Sequence, residues 1–351
     1  MSKIKVLYVI DRIMVGGAEQ VFIDILKLMQ GRVDLFVLLI SPTEPFQLGR
    51  LKGLATVYQT NRKSKISLST IVKISKILKE VDIIHVHLRP TLRYINLIQL
   101  ICFIRKPLVF HDHYGEIEID NSPPSIICIA IKPDFYVGVS LQLCNWAVSV
   151  WNIEKQNTEC LINLSRGSLI YNEPRKKLKL QKEFVLVGNI KPIKNQQFAF
   201  DFINKLGDVN LDLIGNIQDE EYYKKIGLVP RINHIENESN AMLLLNNYKF
   251  GLCTSISESG PLVVLEYFVS GLPFIAFKTG GICEILFKYV PEYFMDDFVL
   301  ENWIERYKLL EKDYQCIPKA LIDRVINTEF NSELYADKLM DIYKKCRKAD
   351  S

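Results

Sequence analysis

The stretch Ser257-Glu258-Ser259-Gly260-Pro261-Leu262-Val263-Val264-Leu265-Glu266 decides how this chain is read. The run Phe250-Gly251-Leu252-Cys253-Thr254 leads into it and predicts a strand. Proline suits the first position of a helix, and Gly271-Leu272-Pro273 stops one, so a helix is expected from Pro261 to just before Gly271. Glu258 then sits in the loop at the helix mouth, with Glu266 one to two turns inside. A helix mouth offers backbone N–H groups and a positive dipole end, which suit a phosphate. Carboxylates beside it accept hydrogen bonds from hydroxyl groups. Phosphate plus polyol is the chemistry of a nucleotide sugar. A capped surface helix with two exposed glutamates fits the same spacing.

Outward from this stretch, strands and helices alternate in both halves of the chain. Strands are expected at Val6–Ile10, Val33–Ile40, Ile83–His87, Leu108–His111 and Phe135–Val139, with helices at Ala18–Met29, Ile71–Lys79 and Leu92–Ile104. The second half repeats the scheme with strands Phe184–Gly188, Leu211–Gly215 and Ile232–Ile235, and helices Gln196–Leu206, Glu220–Ile226 and Ala241–Asn247. Alternation of this kind predicts α/β domains with parallel sheets, whose ligands bind outside the carboxyl ends of the strands. The expected division is residues 1–173 as an amino-terminal Rossmann-like domain, 174–183 as a charged linker, 184–328 as a second Rossmann-like domain, and 329–351 as a terminal helix.

A length of 351 residues suits two domains, and an apolar fraction of 48% is globular. No stretch reaches the ~18 apolar residues of a membrane span, and Met1–Leu7 runs directly into a strand, which predicts no secretion signal. The 8 cysteines form no Cys-x-x-Cys pair, so free thiols in a reducing cytoplasm are expected. The net charge of +4 divides as about +5 over residues 1–173 and about −1 beyond. Part of the excess lies in Arg62-Lys63-Ser64-Lys65 and in Lys73, Lys76 and Lys79, opposite Ile71, Ile74 and Leu78. Such a helix either lies on an anionic membrane face or packs on a sheet with its lysines in water. Basic residues interleaved with aromatics are missing, so nucleic acid is not an expected partner.

Four of the 5 histidines form two His-x-His pairs, His85/His87 and His111/His113. Residues i and i+2 of a strand share a face, so each pair converges, as metal ligands or as lining of a polar cleft. Asp112 would face the other way. Gly16-Gly17-Ala18-Glu19 opens the first helix, where Glu19 also fits as a first-turn charge.

Residues 250–286 resemble the donor-site signature of the retaining glycosyltransferases of family 4 (group 1), which have the GT-B fold. The matching features are Glu258 to Glu266, Ser270-Gly271-Leu272-Pro273, the strand Phe274–Phe277, and Gly280-Gly281-Ile282-Cys283-Glu284. The resemblance implies two Rossmann-like domains facing across a cleft, with the donor mainly on the second. Asp82–His87 resembles the family's Asp-x-x-His-x-His strand, and Lys106–His113 places His113 on the active-site histidine. Gly16 and Gly17 fall on the glycine loop near the donor phosphates. Val187–Asn195 resembles the phosphate-binding loop, with Lys194 on its lysine and Asn189 where many members carry arginine.

What the resemblance implies is a retaining, metal-independent transfer of a hexosyl or N-acetylhexosaminyl group. The donor is a UDP- or GDP-linked sugar as co-substrate, with no cofactor and no metal. His113 and Glu258 are the implied catalytic residues. Gly16, Gly17, Asn189, Lys194, Gly260, Pro261, Leu262, Val263 and Glu266 are the implied donor-binding ones, and His87 and His111 line the cleft or acceptor side. The acceptor would be a saccharide or lipid-linked saccharide of surface polysaccharide, capsule, O-antigen or glycolipid, met at the inner membrane face. Segments Tyr114–Pro133 and His234–Asn240 are implied to face acceptor and base. Asn189 leaves open a catalytically weak sugar-nucleotide-binding subunit, and the histidine pairs leave open a metal-dependent hydrolase.

Overall fold

The computed structural model describes residues 3–62, 67–122, 125, 128, 131–164, 182–227, 230–236, 238 and 241–349. Residues 174–181 of the linker expected at 174–183, Lys63–Lys65, Pro123-Pro124 and part of 234–240 lie outside the described residues, while Lys182 and Glu183 belong to a strand and not to a linker. The chain divides into a unit of Met1–Leu164 with Ser332–Ser351 and a unit of Ser165–Asn331.

In the first unit the elements run β1 (Lys5–Ile10), α1 (Gly17–Met29), β2 (Asp34–Leu39), α2 (Pro45–Gly49), β3 (Thr56–Gln59), α3 (Leu68–Lys79), β4 (Ile83–His87), α4 (Arg89–Ile101), β5 (Leu108–Asp112), β6 (Phe135–Gly138), α5 (Leu141–Ser149) and β7 (Thr158–Cys160). The strands form a parallel sheet ordered β3-β2-β1-β4-β5-β6-β7. Strand order reverses between β1 and β4, and a doubly wound sheet opens a ligand crevice at such a point. The C-terminal helix, Ser332–Ala349, packs on β4 and α1.

The second unit runs β8 (Lys182–Val187), α6 (Gln196–Leu206), β9 (Leu211–Ile214), α7 (Glu220–Ile226), β10 (Ile232–Ile235), α8 (Ala241–Leu244), β11 (Tyr248–Cys253), α9 (Leu262–Val269), β12 (Phe274–Phe277), α10 (Gly280–Phe287), β13 (Phe294–Met295), α11 (Leu300–Lys312) and α12 (Lys319–Glu329). Its sheet order, β10-β9-β8-β11-β12-β13, reverses between β8 and β11. Two Rossmann-like units are therefore present. The central strands β1, β4, β5 and β6 are buried almost throughout, as a sheet covered on both faces requires.

Several boundaries differ from the sequence expectation for local reasons. Helix α9 starts at Leu262 with Pro261 as its extended cap (φ −68°, ψ 96°), one residue later than expected. Helix α4 starts earlier, at Arg89, because Pro90 fits a first turn, and it stops at Ile101 because Phe103 turns left-handed (φ +52°). Beyond Leu244 the expected helix tightens into a 3-10 turn, Leu245–Asn247. The edge strands β3 and β7 are too short and polar to show alternation. Helix α5 had a legible signal, since the Ser140 hydroxyl accepts from the Leu143 amide at its start. On α3, Ile71, Ile74, Ile77 and Leu78 are buried while Lys73, Lys76 and Lys79 are exposed, so its apolar stripe is spent on the sheet. Among the described residues, no helix is long and apolar enough to cross a membrane.

Candidate active site

In the second unit three loops meet at the carboxyl ends of β8, β11 and β12. Val187 hands over to Gly188-Asn189, and a 3-10 turn over Pro192–Lys194 carries the lysine. Asn195 follows with a left-handed backbone (φ 51°), a conformation that asparagine tolerates. The Thr254 hydroxyl lies 3.0 Å from the Lys194 carbonyl and 3.1 Å from that of Asn195. The Ile256 amide donates to Ile193 at 2.8 Å. These bonds lock the loop after β11 against the loop after β8. As a result the Lys194 ammonium pairs directly with the Glu258 carboxylate. Their side chains are 20% and 14% exposed, so the pair is largely withdrawn from water. Burial alone would lower the Lys194 value, but the facing Glu258 carboxylate outweighs it and raises the lysine above its ordinary value.

The third loop fixes Glu258 from behind. The Glu258 amide donates to the Thr279 hydroxyl at 3.1 Å, and the Gly281 amide donates to Ser259 at 3.0 Å. Gly280 has φ +78°, and a Cβ there would stand 2.6 Å from the Glu258 carbonyl oxygen. Only glycine meets both conditions. The Gly280-Gly281 element thus acts on the backbone that presents Glu258.

Pro261 is buried, Gly260, Leu262 and Val263 are partly exposed, and Glu266 emerges on α9 beside the buried Leu265 and Tyr267. Tyr267 anchors the helix: its hydroxyl accepts from the Val187 amide at 3.1 Å and lies 3.2 Å from the Leu252 carbonyl. Its ring fits because Gly251 has no Cβ, which would lie 2.5 Å from the ring. Asn189 is held by the loop after β9, its Oδ1 accepting from the Asn216 amide at 3.2 Å.

In the first unit, β4 and β5 run parallel with His87 opposite His111, which brings the two His-x-His pairs into one column. The rings of His111 and His113 stack at 4.5 Å between centroids, His85 and His87 at 4.7 Å, and His87 and His111 at 4.9 Å. His87 Nδ1 and His113 Nε2 share a hydrogen bond at 3.0 Å. At the other end, His85 Nδ1 meets the Tyr343 hydroxyl at 2.6 Å, which meets the Tyr8 hydroxyl at 2.6 Å. Tyr343 belongs to the C-terminal helix, so this chain ties that helix to the sheet. Burial, with the nearby His113, holds His85 down to about 3. Burial likewise holds His113 at about 3 and depresses His87 and His111. The column is therefore neutral at physiological pH.

His85, His87 and His111 place one nitrogen each within 4.8 Å of one another, the one such group of potential metal ligands among the described residues. Their rings lie within 28° of parallel. Imidazole binds a metal in its ring plane, and stacked planes do not aim three lone pairs at one point. Asp112 turns to the other face, accepting from Arg89 at 2.9 Å and from the Tyr136 hydroxyl at 3.0 Å.

Gly16 caps α1 with an extended backbone. The Glu19 carboxylate folds back onto this cap so closely that a Cβ on Gly16 would overlap it. Burial raises the Glu19 carboxyl, against the pull of its own amide, Arg50 and Arg12. A donor phosphate at this glycine turn would meet the Glu19 carboxylate, which has to swing away to admit it. Neither the Lys194–Glu258 pair nor Tyr343 on the histidines is legible in the sequence, because the partners are far apart in the chain.

Residues 171–324 match the family model described as glycosyl transferases group 1. No curated protein matches the sequence. Among solved structures, the chain is similar to HepE from Anabaena in complex with UDP and glucose. The identity is 19% over 96% of this chain and 98% of that one, with a TM-score of 0.79. Sucrose-phosphate synthase from Thermosynechococcus elongatus is similar at 14% identity, covering 99% of this chain and 100% of that one, with a TM-score of 0.71. The lipopolysaccharide outer core galactosyltransferase WaaB in its apo form is similar at 17% identity over 97% and 99%, with a TM-score of 0.69. These likenesses establish a shared fold, the pair of Rossmann-like units of the GT-B architecture.

Proposed function

We propose that the protein is a retaining, metal-independent glycosyltransferase that moves a sugar from a nucleotide-sugar donor to a saccharide or lipid-linked acceptor. The observation that carries this reading is the Lys194–Glu258 pair at the mouth of α9, where the strand order of the second unit reverses. The group 1 match over residues 171–324 supports it. HepE binds UDP, so a UDP-linked sugar is the first donor to test, ahead of a GDP-linked one.

In this reading the donor diphosphate takes the Lys194 ammonium, together with backbone amides near Gly260–Val263. Fixed positive groups facing the developing charge of the leaving group are the main source of rate in such a site. Once Lys194 turns to phosphate, Glu258 is released to accept hydrogen bonds from hydroxyls of the donor sugar. Glu266 accepts from the ribose hydroxyls. Asn189 and the Gly16-Gly17 turn complete the donor-binding residues, and His113 is the catalytic residue of the first unit. The anomeric carbon–phosphate oxygen bond breaks, the acceptor oxygen bonds to the same face, and the acceptor proton passes to the departing diphosphate. Surface polysaccharide or glycolipid is the product class, made at the cytoplasmic face of a membrane.

The test is thermal-shift binding of the full chain against UDP, GDP, ADP and their sugars, with Glu266→Ala and Lys194→Ala as controls. A ligand at ~100 times its Kd stabilises by about 2.7 kcal/mol. One nucleotide should shift the melting point in the native chain and in neither variant. No shift with any nucleotide, together with a melting point lowered by EDTA, would replace this reading with a metal site.

A further inference from the structure

His87 ends β4 and His113 directly follows β5, and the backbone beside each is clamped. Leu88, next after His87, has φ +72° and ψ 137°, a left-handed backbone that a leucine adopts only under strain. Arg89 holds the turn from its far side. Its guanidinium donates to the buried Asp112 at 2.9 and 3.0 Å. It also lies over the Tyr114 ring at 3.9 Å and the Trp146 ring at 4.3 Å. Asp112 accepts further from the Tyr114 amide and the Tyr136 hydroxyl, each at 3.0 Å. Asp112 and Tyr114 flank His113 in the chain, so one node fixes the backbone next to both histidines. The His87 ring itself is wedged, stacked on His85 at 4.7 Å and on His111 at 4.9 Å, with the edge of Phe22 at 4.9 Å. Strain persists where the surroundings over-determine a conformation, and here they fix how two imidazoles meet.

Between two rings held in this way, the variable that remains is the proton. Both imidazoles are neutral at physiological pH, so each carries one N–H. One of these protons lies in the 3.0 Å bond between His87 Nδ1 and His113 Nε2. If His113 donates from Nε2, His87 has to keep its own proton on Nε2. That atom is fully buried and meets no partner among the described residues. If His87 donates from Nδ1, the same Nε2 is a bare lone pair. Folded proteins leave a buried N–H without a partner more rarely than a buried acceptor, which favours His87 as the donor. His113 then accepts at Nε2 and carries its own proton on Nδ1. A general base needs a bare nitrogen facing the proton it takes. The bare nitrogen of His113 is the one that His87 already occupies.

We propose that His87 is a positioning residue: it donates to His113 and so presents His113 to the substrate as a hydrogen-bond donor, not as a base. The consequence for transfer rests on the glycosyltransferase reading, whereas the direction of the bond does not. With its lone pair engaged, His113 leaves the acceptor proton to the departing diphosphate. The test is nitrogen–proton correlation NMR of the full chain carrying isotope-labelled histidine, with His113 assigned from the signals lost in His113→Asn. In the native chain His113 should carry its proton on Nδ1. His87→Asn, whose amide nitrogen stands where Nδ1 stood and donates, should keep that tautomer. His87→Phe keeps a stacking ring without a donor, and the Nδ1 form should lose its dominance there. With UDP-glucose as donor and water as acceptor, followed by UDP release, His87→Phe should lower kcat about tenfold with KM little changed. His87→Asn should restore most of that rate. A native His113 protonated on Nε2, or one tautomer shared by the native chain and His87→Phe, overturns the proposal. Equal kcat in all three chains overturns the positioning role. If His87→Phe does not fold, the native tautomer and His87→Asn still decide the matter. The Nδ1 tautomer without any UDP release would uphold the direction of the bond and overturn the glycosyltransferase reading instead.

Discussion

Mild acid should unfold the first unit before the carboxylates titrate. In an unfolded chain each of the four stacked imidazoles titrates near 6.5. In the folded unit His85 and His113 are held down to about 3, and His87 and His111 are depressed as well. The unfolded chain therefore binds more protons at any pH between those limits. The stack's contribution is whole above about pH 6.5 and is lost as pH falls toward about 3. At about pH 5 His85 and His113 have each forfeited about 2 kcal/mol relative to neutrality, about 4 kcal/mol together, and the depression of His87 and His111 acts in the same direction. Total stability of a domain is typically about 5–15 kcal/mol, so the loss is of decisive size. Carboxylates, with ordinary values near 4, contribute little in this window. Trp146 and Trp151 lie in the first unit and Trp303 in the second, so urea unfolding of a Trp303→Phe chain, followed by tryptophan emission, reports the first unit alone. His111→Leu should flatten the pH slope by one proton, about 1.4 kcal/mol per pH unit. A first unit equally stable at about pH 7 and about pH 5, or a slope unchanged in His111→Leu, would refute the reasoning.

In the second unit, Lys194→Met should cost about 2 kcal/mol, below the 3–5 kcal/mol of a fully buried broken pair because both side chains keep some contact with water. Glu258→Gln together with Lys194→Met should cost less than the two single changes summed, by about 1 kcal/mol, as measured by urea denaturation; strict additivity would show the pair to be uncoupled. Gly280→Ala combines a left-handed backbone with an overlap on the Glu258 carbonyl, so it should destabilise by about 2 kcal/mol or more and displace Glu258. Its nucleotide shift should shrink along with Tm, and an unchanged nucleotide shift would detach the glycine turn from the site.

The sequence by itself determined the alternation of strands and helices and the order of the loop elements around Glu258, because both are written in local signals. Apolar runs of strand length, Pro261, Asn195 and the Gly280-Gly281 turn each act within a few residues of themselves. The helix Gln196–Leu206 and the strand Ile83–His87 were legible to the residue for that reason. Each His-x-His pair could likewise be assigned to one strand face. Only tertiary structure decided that β4 and β5 are neighbours in a register that stacks the pairs into one buried column, and that Tyr343 reaches His85 from the far end of the chain. The same holds for Lys194 and Glu258, which meet because Thr254 and Ile256 lock two loops that the sequence keeps apart. Short edge strands escaped because their pairing, not their composition, makes them strands. Phe103 reads as one more apolar residue of a helix, and the left-handed turn that leaves it in solvent is a property of the folded backbone. Local propensity acts through neighbours in sequence, whereas register, burial and charge pairing are fixed by neighbours in space.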